Sequence, residues 1–211
     1  MAEKAVSKPR LSSEDRRASI VGAAIRLFGE KGFRGTTTRE IAAAVGVSEP
    51  ILYEHFNTKG DLYAAIIDSS SHKGVELLAA LASRYHNVED DEGFFTELGQ
   101  LILKWYTDDA SFIRLLLFSN LEGHELKDLF FERQSSRVLE IVAGYIERRI
   151  RNGAMRAIDP ALSARVFLGM VSNYALHGIL FRCGTLAGTN EEILHGMVGI
   201  FLNGTCIEGK Q

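Results

Sequence analysis

Apolar residues recur along the chain at the spacing of helices rather than strands. Ile20, Ala24, Leu27 and Phe28 fall at i, i+4, i+7 and i+8, which places them on one face of a helix. The sequence contains no alternating segment long enough for a half-buried strand and no internal repeat. The pattern predicts an all-α fold of about nine helices, with short helices in an N-terminal head and longer helices in a body.

Capping residues divide this pattern into elements. Ser12 precedes the first helix, and T-x-x-E boxes at Thr37 and Thr189 begin the second and the last helix. Asp159 followed by Pro160 combines a capping side chain with proline in the first helical turn. The helices predicted after the first one span residues 37–45, 49–56, 59–86, 92–107, 110–119, 122–152, 160–183 and 189–203.

Composition narrows the class of protein. The chain has 211 residues, of which 46% are hydrophobic and 24% charged, so it can bury a sizeable core and is not a disordered or collagenous chain. Two cysteines outside any C-x-x-C pair favour a reduced compartment. The N-terminus is polar and no apolar run reaches ~18 residues, so we expect a cytoplasmic protein without a membrane partner.

Charge is distributed unevenly between the head and the body. Residues 1–60 hold ten Lys or Arg against seven Asp or Glu, whereas the remainder holds fourteen against twenty. A basic head on an acidic body hints at a polyanionic partner for the head alone, although a solvated charged face would look similar. We expect a flexible basic arm over residues 1–11, a head domain over 12–58 and a body domain over 59–211.

Two short predicted helices in the head are joined by a tight turn. Residues 37–45 and 49–56 flank a three-residue turn that contains Gly46, and Ser48 is placed to cap the second helix. Two helices in this arrangement next to a basic arm form a candidate helix-turn-helix for DNA. From the pattern alone, a helical corner of an ordinary bundle fits equally well.

Residues 16–67, from RRASIVGAAIRLF to LYAAII, resemble the DNA-binding domain of the TetR family of bacterial transcription regulators. The resemblance covers about fifty residues at fixed spacings, carried by Ile20, Ala23-Ala24, Leu27-Phe28, Gly32-Phe33, Thr36-Thr37, Ile41-Ala42, Gly46-Val47-Ser48, Leu52-Tyr53, His55-Phe56 and Lys59. The body resembles the family only in the number and length of its helices. The resemblance implies a regulator, by family habit a repressor, that binds a palindromic operator on double-stranded DNA.

The resemblance also assigns roles to residues of the head. Hydroxyl, tyrosine and lysine side chains suit phosphate contacts, and the resemblance implies such contacts from Thr38, Ser48, Tyr53, His55 and Lys59. Base reading is expected from Arg39, Glu49, Pro50 and Ile51, since arginine can bind guanine and glutamate can accept from cytosine. Glu49 departs from the basic or small residue common at its place, so it either reads a base or weakens non-specific binding.

The last two helices are apolar on more than one face, so they must bury more than one face. In the family these helices pair with their copies, and the resemblance implies a homodimer interface here, although burial in the monomer alone would give similar stripes. The expected interface residues are Val166, Met170, Tyr174, Phe181, Ile193, Met197, Ile200 and Phe201.

Aromatic residues are dense in the middle of the body. Helically spaced aromatics usually form core, but the resemblance implies a pocket for an unknown small-molecule effector, which an apolar lining would make hydrophobic or amphipathic. The expected lining is Trp105, Tyr106, Phe112, Leu116, Phe167, Met170 and Tyr174, with Asn120, Asn173 and His177 as polar anchors.

The sequence does not predict an enzyme. It lacks a P-loop and the G-x-G-x-x-G, G-x-S-x-G and H-E-x-x-H motifs, and its six histidines are not spaced as metal ligands. We therefore expect no catalytic residue, no metal and no cofactor. The alternative function is a helical ligand-binding or protein-interaction module without sequence-specific DNA binding, which a salt-dependent duplex-binding assay would distinguish.

Overall fold

The computed structural model describes residues 12–108, 110–122, 135–184 and 186–206. Within these ranges the fold is all-α, as predicted, with nine α-helices and a single isolated bridge between Met155 and Cys206. The helices are α1 (Ser13–Lys31), α2 (Thr38–Ala44), α3 (Glu49–His55), α4 (Lys59–Arg84), α5 (Asp91–Asp108), α6 (Ala110–Leu121), α7 (Ser136–Arg151), α8 (Pro160–Tyr174) and α9 (Asn190–Thr205). None of the described helices is long and apolar enough to span a membrane.

The predicted helix starts are confirmed because capping depends on local sequence. Thr37 and Thr189 each accept the amide of the glutamate three residues on, and that glutamate accepts the capping residue's own amide. The Asp159 carboxylate accepts the amides of Ala161 and Leu162 at the start of α8. Thr58 and Asp61 form a further capping box at the start of α4 that the sequence analysis missed.

Two predicted helices differ from the observed elements. The C-terminal part of the helix predicted over 122–152 is observed as α7, Ser136–Arg151, whereas Glu122 lies in a turn after α6; residues 123–134 lie outside the described residues. The helix predicted to reach residue 183 leaves α-helical geometry after Tyr174 and continues as a π-helical segment, Ala175–Leu180. There the Phe181 amide donates to the Leu176 carbonyl, five residues back, a wider turn that apolar periodicity does not reveal.

Buried side chains form two hydrophobic clusters. The body cluster joins α4, α5, α7, α8 and α9. The head cluster joins α1, α2 and α3 to the first turns of α4, and it also includes Phe112, Leu115 and Leu116 of α6. The head cluster therefore continues past residue 58, where the sequence predicts the domain boundary.

Helices α1 and α6 come into close contact at Gly29. A Cβ atom on this residue would lie 2.5 Å from the carbonyl oxygen of Ser111, far inside van der Waals contact. Only glycine allows the two backbones to come this close without a shift. The contact packs α1 against α6, whose buried residues Phe112, Leu115 and Leu116 belong to the head cluster.

A buried ionic cluster connects α5 and α7. The Arg149 side chain is only 4% exposed, and its Nε lies 2.8 Å from Oδ1 of Asp91, whose side chain is 12% exposed. The Tyr145 hydroxyl donates to the same oxygen at 2.7 Å, and Glu89 lies 3.5 Å from the Arg149 guanidinium. Burial, followed by this hydrogen bond to Asp91, raises the pKa of Tyr145 far above its usual range.

Candidate nucleic-acid interface

Helices α2 and α3 are joined by a turn that the local sequence determines. The Val47 amide donates to the Ala42 carbonyl at 3.0 Å, and Gly46 takes a positive φ of 72°. A residue with a side chain rarely adopts this backbone conformation. Ile41 and Leu52 are fully buried, one from each helix, so the opposite faces of α2 and α3 point outward. This is the geometry of a helix-turn-helix.

Ser48 occupies the predicted position before α3, but its side chain makes no capping hydrogen bond. A capping side chain accepts from the second or third helical amide. Here the second residue is Pro50, which has no amide proton, and the third amide, of Ile51, donates to the Ser48 carbonyl at 3.1 Å. Ser48 is therefore the N-cap residue, as predicted, but without a capping side-chain bond, and its exposed side chain suits contact with a partner.

Three of the predicted DNA-binding side chains form one hydrogen-bonded group across the α2–α3 junction. The Thr38 hydroxyl donates to Oε1 of Glu49 at 2.5 Å and lies 3.3 Å from the Tyr53 hydroxyl. Because Thr38 has only one hydroxyl proton, Tyr53 is the donor in the second contact. Glu49 thus fixes the rotamer of Thr38, a role that the sequence analysis did not assign.

The other predicted DNA contacts of α2 and α3 are accessible to solvent. Arg39 and Pro50 are exposed, while Ile51 and His55 are partly exposed. Arg39 follows Thr38 on α2, and its side chain is exposed. It is therefore accessible to a partner, as a base-reading residue must be.

Lys59 differs from this pattern, because its ammonium group is turned toward the loop after α1. Its Nζ donates to the Phe33 carbonyl and lies 4.2 Å from the centre of the Phe33 ring. Burial lowers the pKa of Lys59. At the start of α4, where the helix amides favour an anion, the Asp61 carboxylate already accepts the Thr58 amide.

Two further polar contacts hold the loop between α1 and α2. The Glu122 carboxylate accepts the Arg34 amide at 3.4 Å, and Lys31 Nζ lies 2.7 Å from Oε1 of Glu40. The first pair is separated by 88 residues, so no local signal could have indicated it. Arm residues 1–11 lie outside the described residues.

Glu40 provides a prediction for the pH dependence of the head. Its hydrogen bond with Lys31, followed by that with the Thr37 amide, lowers the pKa of Glu40 from 4.5 to about 2. The folded state holds the proton less tightly than the unfolded state, so this contribution to stability is present above pH 4.5 and is lost as the pH falls toward 2. An NMR titration of the side-chain carboxyl carbons should show the low midpoint.

The matched control for this titration is Lys31→Met. Removing the ammonium group should raise the midpoint of Glu40 toward its ordinary value while leaving the Thr37 capping box in place. A wild-type midpoint near 4.5 would contradict the assignment.

Part of the predicted effector lining surrounds a cavity of about 360 Å³ between α4, α5 and α6. Trp105, Phe112 and Leu116 line it together with α4 residues that the sequence analysis did not select. Those α4 residues are Ser69, Ser70, Lys73, Gly74 and Leu77. Ser69, Lys73 and Leu77 are spaced four residues apart on α4, which is the signal that could have identified this wall.

The remaining predicted pocket residues do not line this cavity. Phe167 is fully buried in the body cluster, against which Tyr106 and Met170 also pack. The Asn120 side chain donates to the Leu116 carbonyl, and the Tyr174 hydroxyl donates to Asn190. Asn173 and His177 are exposed on the outer side of α8 and the π-helical segment.

Most of the predicted dimer residues lie on α8 and α9 with part of the side chain in solvent, and Phe181 follows the π-helical segment after α8. Val166 and Phe181 are each 53% exposed and Ile200 is 72% exposed, while Met170, Tyr174, Ile193 and Met197 are partly buried. Leu162, missed by the sequence analysis, lies one helical turn before Val166 on α8 and is exposed. The prediction for Phe201 is corrected, because this residue lies in the monomer core. Its ring centre is 4.8 Å from that of Phe95.

An outward-facing helix-turn-helix on a larger helical body defines a DNA-binding protein of the helix-turn-helix class, and comparisons with known proteins agree. Residues 20–66 match the family described as bacterial regulatory proteins, tetR family. Residues 96–203 match the C-terminal domain of AefR-like transcriptional repressors. The chain therefore belongs to the TetR family, and it is a transcription regulator rather than an enzyme.

Individual relatives extend over most of the chain. The HTH-type transcriptional regulator YvkB of Bacillus subtilis is 23% identical over 186 residues, which are 88% of this chain and 94% of YvkB. AibR, solved in complex with isovaleryl coenzyme A and operator DNA, is 25% identical with a TM-score of 0.65, covering 88% of this chain and 97% of AibR. A tetR-family protein from Rhodococcus RHA1, 22% identical over 94% of this chain and 100% of its own, has a TM-score of 0.72 and shares the fold.

Proposed function

We propose that this TetR-family regulator acts as a repressor that binds a palindromic operator as a homodimer and is released by a small hydrophobic or amphipathic effector. The observation that carries the proposal is the outward side of α2 and α3, which presents the Thr38–Glu49–Tyr53 group and the exposed side chain of Arg39. We propose Thr38, Ser48, Tyr53, His55 and Lys59 as phosphate contacts, and Arg39, Glu49, Pro50 and Ile51 as base contacts. Lys59 reaches a phosphate only if its ammonium group leaves the Phe33 carbonyl.

Arg39→Ala tests the base-reading role. Loss of a bidentate contact to guanine should relax the preference at one position of each half-site by about 1–3 kcal/mol, or roughly 5- to 150-fold. Selection from random duplexes followed by sequencing measures the preference at every position for wild type and variant. Arg151→Ala removes an exposed arginine from α7 in the body and should leave the profile unchanged; an unchanged profile for Arg39→Ala would rule out this role.

The homodimer is supported by exposed apolar side chains in the segment from α8 to α9. Leu162, Val166, Phe181 and Ile200 are large hydrophobic side chains that the monomer leaves in solvent. Leu162 and Val166 lie one helical turn apart on α8, and exposed apolar side chains grouped in this way mark an interaction surface that a two-fold axis can pair with its own copy. Dimerisation would supply the second half-site contact that a single helix-turn-helix lacks.

Val166→Asp tests the dimer. A carboxylate at the centre of an apolar interface loses its hydration on association, so the variant should be monomeric at micromolar concentrations in sedimentation velocity. Operator affinity should fall at least about tenfold because one half-site contact is lost. Val88→Asp introduces the same charge at an exposed apolar residue outside α8 and α9 and should remain dimeric; a dimeric Val166→Asp with full affinity would contradict the interface.

Effector release is supported by the position of the cavity between α4, α5 and α6. Phe112 and Leu116 line the cavity and also belong to the head cluster, and α4 connects α3 to the body. A ligand that fits only one arrangement of α4 and α6 shifts the head toward that arrangement, and operator affinity changes by the difference in binding free energy. The relative AibR was solved with both isovaleryl coenzyme A and operator DNA, which favours a ligand-responsive function for this chain.

A salt-dependent duplex-binding assay separates the proposed DNA-binding regulator from the alternative, a module without sequence-specific DNA binding. Phosphate neutralisation releases counterions, so affinity for the operator should fall steeply as salt rises. An effector that acts by release lowers this affinity at fixed salt. Absence of duplex binding even at low salt would favour the alternative.

A further inference from the structure

The cavity between α4, α5 and α6 combines an apolar wall with two lysines. Trp105, Phe112 and Leu116 supply aromatic and aliphatic surface, whereas Lys73 of α4 and Lys104 of α5 supply positive charge. Its volume of about 360 Å³ lies near the lower end of the range for small-molecule pockets, roughly 300–1,000 Å³. A small ligand that is apolar along most of its length and polar at one end would suit this lining.

The two lysines differ in whether a carboxylate neutralises them. Lys104 Nζ lies 2.5 Å from Oδ2 of Asp108 one turn later on α5, and Asp108 lines the same cavity. For Lys73, no carboxylate of a described residue lies within ion-pair distance. The lining therefore carries a net positive charge, which comes from Lys73.

We propose that this cavity binds an amphipathic monoanion, with a carboxylate held by Lys73 and an apolar chain packed against Trp105, Phe112 and Leu116. This inference rests on the proposed effector function and specifies the chemical class of the effector. A carboxylate gains a charge-assisted hydrogen bond from the ammonium group, about twice as strong as a bond between neutral partners. A cationic ligand would meet like charge at Lys73, and a neutral alcohol of the same length would gain only an ordinary hydrogen bond.

The anion would also neutralise the positive charge that Lys73 contributes where α4 borders the cavity. Lys73 lies on the same helix as Lys59 and Asp61, which begin α4 at the head, and Leu116 lies in both the cavity wall and the head cluster. Binding of the anion thus contacts both helices that connect the body to the head. The same ligand that pairs with Lys73 is therefore placed to change operator affinity.

Trp105 provides a direct readout, because it is the single tryptophan of the chain and lines the cavity. The experiment is titration of the full-length protein with octanoate and, separately, with octan-1-ol, following Trp105 fluorescence. We expect octanoate to bind at least about tenfold more tightly than octan-1-ol, the difference typical of a charge-assisted hydrogen bond. Lys73→Gln should remove this preference, and Lys73→Arg should retain it.

Each outcome separates this inference from the proposed function. Equal affinity for the two probes in wild type, or a preference for octanoate that survives in Lys73→Gln, overturns the anion site. A preference for octanoate that depends on Lys73, without any change in operator affinity, supports the anion site and contradicts effector release. No fluorescence response to either probe counts against both. Because Lys73 is exposed, its variants should melt at the wild-type temperature, which verifies that they are folded.

Discussion

Asp91→Ala is expected to lower the free energy of unfolding by about 3 kcal/mol. The variant leaves the buried guanidinium of Arg149 without its 2.8 Å partner and leaves the Tyr145 hydroxyl without its acceptor. Removal of one partner from a buried ion pair typically costs about 3–5 kcal/mol, and we expect the lower end because Glu89 remains 3.5 Å from Arg149. Urea denaturation followed by circular dichroism measures the change.

Two controls isolate the buried charge as the cause. Asp108→Ala removes the carboxylate of the exposed pair with Lys104 and should change stability by less than about 1 kcal/mol, as surface ion pairs do. The double variant Asp91→Ala/Arg149→Met contains no buried charge and should recover much of the loss. If the midpoint of unfolding lies at the same urea concentration for Asp91→Ala as for wild type, the ionic cluster does not stabilise the body.

Gly29→Ala should destabilise the protein by about 2–3 kcal/mol, although alanine favours helices over glycine. The new methyl group would lie 2.5 Å from the Ser111 carbonyl oxygen and 3.1 Å from its carbonyl carbon, so α1 and α6 must move apart. Overpacking of this kind typically costs about 1–3 kcal/mol, and a backbone neighbour cannot rotate away as a side chain can. Thermal and urea denaturation test the loss.

Gly22→Ala is the matched control because it lies on the same helix. A Cβ atom at this position would have no neighbour within 4 Å, so the substitution should stabilise the helix by up to about 1 kcal/mol. We therefore expect the free energy of unfolding to fall for Gly29→Ala and to rise for Gly22→Ala. A neutral or stabilising Gly29→Ala would mean that α1 and α6 are not in the close contact described.

The sequence predicted elements well where their boundaries depend on neighbouring residues. The capping boxes at Thr37 and Thr189 and the Asp159-Pro160 start are all local, and all three helices begin there. The π-helical segment after Tyr174 was not predictable in this way, because the apolar spacing of Val171 and Ala175 fits an α-helix equally well.

In the candidate nucleic-acid interface, the types of residue were predictable from the sequence, but the contacts between them were not. Glu49 was recognised as unusual, yet its bond to Thr38 depends on the angle between α2 and α3. Lys59 reaches Phe33 across 26 residues, and only the fold brings them together. In the body, the stripes on α8 and α9 indicated burial without indicating against what, so Phe167 and Phe201 were assigned to a pocket and an interface although both belong to the core.

We propose that this chain binds an inverted-repeat operator as a dimer through α2 and α3. Selection of the purified full-length protein against random duplexes at fixed, moderate salt, followed by sequencing, is the decisive test. We expect enrichment of an inverted repeat whose half-sites are centred about 34–36 Å apart, or a multiple of that distance. Enrichment of a single unrepeated site, or of no sequence at all, would contradict it.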